Sequence, residues 1–113
     1  MRVVIVGGGK VGAYLARELE AAGHPVIIVE KRRERAEEIA ESTEVLVVNG
    51  DGTDIRLLSQ VEIRPSDYFV ALTGIDQDNL VACQLARTSF STERILARLN
   101  DPRNRPTFAA LDI

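Results

Sequence analysis

The stretch Val3-Val4-Ile5-Val6-Gly7-Gly8-Gly9-Lys10-Val11-Gly12 decides how the chain is read. Its first four residues are apolar and β-branched without a polar face. Such a strand belongs inside a parallel sheet that is covered on both sides. Glycines then break the strand. From Lys10 to Ala22, the residues Val11, Tyr14, Leu15, Leu19 and Ala22 recur at helical spacing. Gly23 suits the left-handed residue that closes a helix. A buried strand turning through glycines straight into a helix opens a βα unit.

The unit repeats along the chain. Val26-Ile27-Ile28-Val29 reads as a second buried strand, and Arg32 to Glu41 as a charged helix with Ala36, Ile39 and Ala40 inward. Val45-Leu46-Val47-Val48 is a third strand, followed by a short helix from Asp54 to Val61 with Thr53 placed as its N-cap. Tyr68 to Leu72 is a fourth strand. Asp78 to Arg87 is a helix carrying Leu80, Val81, Gln84 and Leu85. Ile95-Leu96-Ala97 is a fifth strand, and Pro102 to Leu111 a last helical stretch. Because βα crossovers are right-handed, this alternation predicts a doubly wound, parallel, Rossmann-like α/β sheet of strand order 3-2-1-4-5. Residues 1–113 are expected to form a single nucleotide-binding domain.

Composition narrows the function. The 113 residues are 45% hydrophobic and 27% charged, as in globular proteins, and no apolar run reaches the roughly 20 residues of a membrane span. A net charge of −3 gives no general attraction to nucleic-acid phosphate, and 4% aromatics without Trp offer no base-stacking platform. One cysteine excludes a disulfide framework or a Cys-rich zinc site. No signal segment is read at the start, so the expected location is cytoplasmic.

In sheets of this order, ligands bind beyond the carboxyl ends of the strands, where the order reverses. Gly7, Gly9 and Gly12 match G-x-G-x-x-G, with Gly8 and Lys10 between them. Gly7 allows the tight turn, Gly9 lets a pyrophosphate approach the backbone, and Gly12 lets the helix pack closely on the strand. The helix N-terminus then presents free N–H groups to phosphate. Glu30 ends strand two, at about the 20-residue offset at which an acid accepts bonds from adenosine ribose hydroxyls. Its charge would repel a 2′-phosphate by about 4 kcal/mol at 4 Å and an effective dielectric of 20. That favours NAD(H) over NADP(H), although Lys31, Arg32 and Arg33 soften the preference. Asp51, in Asn49-Gly50-Asp51-Gly52-Thr53-Asp54, reads equally as a nucleoside acceptor and as a turn residue, and Asp54 as a helix cap. Thr73 and Gly74 follow strand four across the switch point and leave room for a ligand. Asp76 and Asp78 read as caps of the following helix rather than as cation ligands. Arg98, directly after strand five, calls for a phosphate or carboxylate partner, or forms a surface salt bridge.

Catalytic machinery is not evident. His24, the single histidine, lies between Gly23 and Pro25 in a turn at the far end of the sheet, and Cys83 falls within a helix with no histidine to activate it. No catalytic residue and no metal site is assigned.

Taken together, the motifs resemble the N-terminal (TrkA-N) lobe of RCK/KTN domains, regulators of potassium channels and Trk/Ktr uptake systems, and its TrkA-type members above all. The resemblance rests on the glycine loop with Val29-Glu30, Gly50-Asp51-Gly52-Thr53-Asp54, Asp67 to Thr73, Asp78-Asn79 and Ala97-Arg98-Leu99-Asn100-Asp101. It implies a non-enzymatic regulatory domain that binds NAD(H) or ATP/ADP, assembles as a homodimer or ring on an integral-membrane potassium transporter or channel, and gates flux. By the same resemblance, Gly7, Gly9 and Val11 would face phosphates, Glu30 the ribose, and Asp51 and Gly52 the adenine. Thr73 would close the far side, and Arg98 would reach a phosphate, within its own subunit or across a subunit boundary. The family's lobe continues with a further strand past Leu111-Asp112-Ile113. The last helix and the edge of strand five are therefore expected to be partly uncovered, which favours dimerisation. Two alternatives remain: the cofactor domain of an NAD-dependent oxidoreductase without its catalytic part, and a scaffold that binds nothing.

Overall fold

A computed structural model describes residues 1–113. Its elements are β1 (Val3–Val6), α1 (Lys10–Ala21), β2 (Val26–Glu30), α2 (Arg33–Ser42), β3 (Leu46–Asn49), α3 (Ile55–Val61), β4 (Tyr68–Ala71), α4 (Asp76–Phe90) and β5 (Arg94–Ala97). A 3₁₀ turn at Pro102–Asn104 leads into α5 (Arg105–Ala110). The five strands form one parallel sheet ordered β3-β2-β1-β4-β5, as the alternation predicts. In register, β1 lies between β2 and β4, with Val6 opposite Val29 on one side and Ala71 on the other. The reversal of strand order therefore falls between β1 and β4.

The apolar strands account for the two layers of core. Val4, Val6, Ile27, Val29, Phe69 and Ala71 point to one face, where α3 and α4 supply Leu58, Val61, Ala82, Cys83 and Ala86. Val3, Ile5, Val26, Ile28 and Val70 point to the other, against Ala13 and Ala16 of α1 and Ile39 of α2. At about 25 cal/mol per Å² of apolar surface, each fully buried branched side chain contributes on the order of 2 kcal/mol. The central strands β1 and β2 are buried at every position, whereas β3 and β5 are half-exposed edges, with Leu46 and Leu96 open.

Several helix faces differ from the expected ones. In α1 the fully buried residues are Gly12, Ala13 and Ala16, the expected Leu15 and Leu19 pack half-buried beside them, and Val11 and Tyr14 are exposed. The approach to the sheet is closest at the first turn, where Gly12 meets the Gly7 carbonyl, and the larger Leu15 and Leu19 pack at the flank. In α2, Ala36 and Ile39 are buried but Ala40 is not. β3 begins at Leu46 rather than Val45, which packs in the core just before the strand. The cap of α3 is Asp54, whose carboxylate accepts from Arg56 N, while Thr53 bonds to Asp51. α4 begins at Asp76, two positions earlier than expected, and buries Asn79, Ala82, Cys83 and Ala86, leaving Val81 exposed.

Candidate functional site

The β1–α1 loop is fixed from below and open above. Gly7 has φ +109°, which glycine accommodates, and a Cβ there would lie 2.9 Å from Thr73 N. Its N–H continues the sheet, donating to Val29 O at 2.9 Å. A Cβ on Gly12 would collide with the Gly7 carbonyl, so helix and strand can meet only at glycine. At Gly9, by contrast, a Cβ would meet nothing within 4 Å. Gly9 is the N-cap of α1, with no side-chain cap and no acidic residue in the first turn. The first N–H groups of that helix therefore lack partners and, with the helix dipole, favour an anion.

Gly7 and Gly9 line a crevice of about 370 Å³ with Glu30, Lys31, Asp51, Gly52, Thr73, Gly74 and Arg98. These residues come from the carboxyl ends of all five strands. Gly8, Lys10, Val11 and Gly12 stand outside it. Gly8 turns away, donating from its N–H to Glu30 Oε1 at 2.8 Å and accepting at its carbonyl from Arg35 Nε at 2.6 Å. Lys10 and Val11 are exposed on the first turn of α1, and Gly12 serves the helix–strand contact.

Glu30 is 5% exposed. Oε1 accepts from Gly8 N, and Oε2 accepts from Arg32 N at 2.7 Å and Arg32 Nε at 3.3 Å. Burial alone raises its pKa, but the bonds from the Arg32 and Gly8 N–H groups, with the Arg32 guanidinium, outweigh that and lower it. The carboxylate is thus ionised at neutral pH. A carboxylate has about four acceptor positions, so Oε1, with the single bond from Gly8 N, keeps one unused. Asp51 proves to be a turn residue and a crevice residue at once. Its Oδ1 accepts from Thr53 N at 2.9 Å and Thr53 Oγ1 at 2.7 Å, which, together with Lys31, lowers its pKa. Its Oδ2 stands 3.6 Å from Lys31 Nζ at the rim.

The opposite wall is Thr73-Gly74 and Arg98. The Arg98 guanidinium is exposed and makes no ion pair within the chain, so the surface salt bridge considered for it does not form. Both wall segments are held by Asn79, which is fully buried. Asp76 does not cap its own helix. Its carboxylate accepts from Asn100 N at 2.7 Å, Asn104 Nδ2 at 2.9 Å, Asp101 N at 2.9 Å and Asn100 Nδ2 at 2.9 Å. These bonds, Asn100 N–H first, bring its pKa down to about 2.

Sequence reasoning did not place Arg32, Gly50, Thr53, Ile75 and Asp78 in the crevice. Arg32 and Thr53 were within reach of it, since both adjoin residues that were assigned. His24 sits in its turn away from the crevice. Burial pushes the Cys83 thiol up to about 12, so it stays neutral. No group of three His, Cys, Asp or Glu could hold a metal ion, and no helix is long and apolar enough to cross a membrane.

A glycine loop at the switch point of a doubly wound parallel sheet, with a buried acid closing β2, defines a nucleotide-binding class of Rossmann-like domain. Within that class the chain belongs to the TrkA-N domain family, which matches residues 3–113. It is 42% identical over 108 residues to a Trk system potassium uptake protein TrkA homolog of Pyrococcus abyssi, covering 96% of this chain and 48% of that one. The TrkA protein of Mycobacterium tuberculosis (strain H37Rv) is 36% identical over 108 residues, covering 96% of this chain and 49% of its own. The chain thus spans about half the length of these curated relatives. Among solved structures, a GsuK channel bound to NAD superposes with a TM-score of 0.85 at 24% identity, over 96% of this chain and 20% of that one. The TrkA-N domain of inner membrane protein ybaL from Escherichia coli gives 0.75 at 17%, over 99% and 96%. At these identities the likeness is one of fold.

Proposed function

We propose that this domain is the nucleotide sensor of a Trk-type potassium uptake system. It binds an adenine nucleotide, NAD(H) or ATP/ADP, in the crevice and passes its occupancy to a membrane transporter. The observation that carries the reading is the crevice itself: an uncapped helix N-terminus behind Gly7 and Gly9, an ionised Glu30 with an acceptor position free, and an unpaired Arg98 on the far wall. Phosphates lie against the α1 N-terminus, with Arg98 as counter-charge. The ribose bonds to Glu30, and the adenine lies toward Asp51 and Gly52. The family named for potassium uptake supplies the context, and the GsuK structures of the same fold bound to NAD and to ADP support an adenine nucleotide as ligand.

The domain acts by binding rather than by chemistry. Its thiol is neutral and buried, and its histidine lies elsewhere. A ligand shifts an assembly only by the difference in its affinity for two states. The sensor therefore works as part of an oligomer at the cytoplasmic face of the transporter, where exchange of one nucleotide for another alters subunit geometry.

Thermal-shift titration with NADH, NAD, NADPH, ATP, ADP and AMP tests this. A ligand at 100 times its Kd adds about 2.7 kcal/mol, a midpoint shift on the order of 10 °C for a domain of this size. Glu30→Ala should abolish the shift, and NADPH should give less than NADH. Indifference to all six nucleotides would overturn the reading.

A further inference from the structure

Thr73 and Arg98 follow different strands, β4 and β5, yet face the same crevice. Their separation is set by one side chain. Asn79, near the start of α4 and 0% exposed, uses its whole carboxamide between them. Oδ1 accepts from Thr73 N at 2.9 Å and from Thr73 Oγ1, 2.6 Å away. Nδ2 donates to Thr73 O at 3.0 Å and to Arg98 O at 3.1 Å. Beyond Asn79 that helix face continues with Ala82, Cys83 and Ala86, with the buried Asp76 before it, and the buried amide is tolerated because every bond is made.

A second set of bonds continues outward. Asn100 Nδ2 also donates to Thr73 O, at 3.1 Å, and to Asp76 Oδ1. Asp76 in turn takes the N–H groups of Asn100 and Asp101 and the amide of Asn104, which ends the 3₁₀ turn before α5. Hydrogen bonds thus run without interruption from the crevice wall to the start of α5. Beside them, a second cavity of about 370 Å³ lies between α4 and α5. It is lined by Asp76, Asn100, Asn104 and Phe108 and meets the crevice at Gly74.

We infer that Asn79 and Asp76 are positioning residues: Asn79 sets Thr73 and Arg98 for the ligand's phosphates, and Asp76 transmits their position to the β5–α5 connection, making that connection the output of the sensor. The inference rests on the nucleotide reading above. Coupling between sites is carried by contiguous hydrogen-bond networks where these have two arrangements, which the experiment below detects.

Amide hydrogen exchange of the protein with and without ADP tests it. ADP should slow exchange in residues 7–12 and also in 98–108. In Asp76→Asn an amino group replaces one acceptor and faces donors, so the ADP effect on 98–108 should fall below about a third while that on 7–12 persists. Asn104→Ala removes a single bond to Asp76 and should act in the same direction, which guards against a fold defect in the first variant. Protection of 98–108 that is absent in the wild type, or equal in all three proteins, overturns the coupling. Absence of protection at 7–12 overturns the nucleotide reading instead, and the coupling with it. For Asn79, a mutant cycle is decisive. Arg98→Ala should weaken ADP binding about tenfold in the wild type, and less than twofold once Asn79→Asp has removed the donors to Thr73 O and Arg98 O. Equal losses, or none in either background, would show that Asn79 does not position Arg98.

Discussion

At the residue scale, the glycines of the β1–α1 loop divide into those the fold needs and one it does not. Gly12 touches the Gly7 carbonyl and has no room for a methyl group, and Gly7 holds φ +109° against Thr73. Gly9 has φ −68°, which any residue adopts, and open space where a Cβ would be. Gly9→Ala is therefore expected to leave stability within about 0.5 kcal/mol of the parent. The methyl group would stand where phosphate approaches, so nucleotide affinity should drop at least about tenfold, some 1.4 kcal/mol. Gly12→Ala should unfold the protein at a temperature well below that of the parent. Paired melting curves and ADP titrations check both; a Gly9→Ala variant that still binds would move the phosphates away from this helix. These residues were legible because the motif is local. The spacing from the glycines pointed to Glu30, and Asp51 read equally as crevice and turn residue, whereas the inward turn of Gly8 depends on Glu30 and Arg35 from other elements and leaves no mark in the loop's own sequence.

At the scale of elements, the helix starts show which local rules held. Thr53 and Asp54 both have capping side chains, and the chain uses Asp54, because Thr53 is already engaged by Asp51 in the turn before it. Asp54→Ala should cost about 1 kcal/mol, read as a lower midpoint in urea, with nucleotide affinity kept. Strands were read well because β-branched runs allow few alternatives. Helix faces were read in part: α1 does pack with Leu15 and Leu19, but it buries Gly12, Ala13 and Ala16 more deeply and leaves Val11 and Tyr14 out, and α4 carries a buried amide where apolar spacing pointed to Val81. Asp76 could not be read at all, since its partners Asn100 and Asn104 lie 24 and 28 residues on. Its role has a pH signature. The folded pKa of about 2 is below the reference 3.8, so the bonded carboxylate stabilises fully above about pH 4. That contribution fades as pH falls toward 2. Acid unfolding of Asp76→Asn should lack this component, so the two proteins' midpoints should converge as pH drops from 5 to 2. A constant gap would argue against the assignment.

At the scale of the molecule, the two ends of the sheet do different work. The carboxyl ends hold the crevice. The amino ends are tied by Arg2, which donates to Asp67 Oδ2 at 2.9 Å, to Val61 O at 2.7 Å and to Glu62 O at 3.0 Å. Asp67 is 1% exposed and also accepts from Arg64 N at 2.8 Å. One ion pair thus joins the start of β1, the end of α3 and the turn into β4. Removing one partner of such a pair leaves an uncompensated charge, at about 3 kcal/mol. Asp67→Ala should accordingly lower the melting midpoint by more than about 10 °C. The four-residue central strand β1 puts about 13 Å between this tie and the crevice, and distant sites add independently. The nucleotide should therefore raise the midpoint of Asp67→Ala by as much free energy as it raises that of the parent. Gly9→Ala should show the reverse, with stability kept and the ligand effect lost. Opposite behaviour in the two variants would separate the residues that hold the sheet from those that read the ligand. If Asp67→Ala also weakened binding, the amino end of the sheet would have to be counted as part of the site.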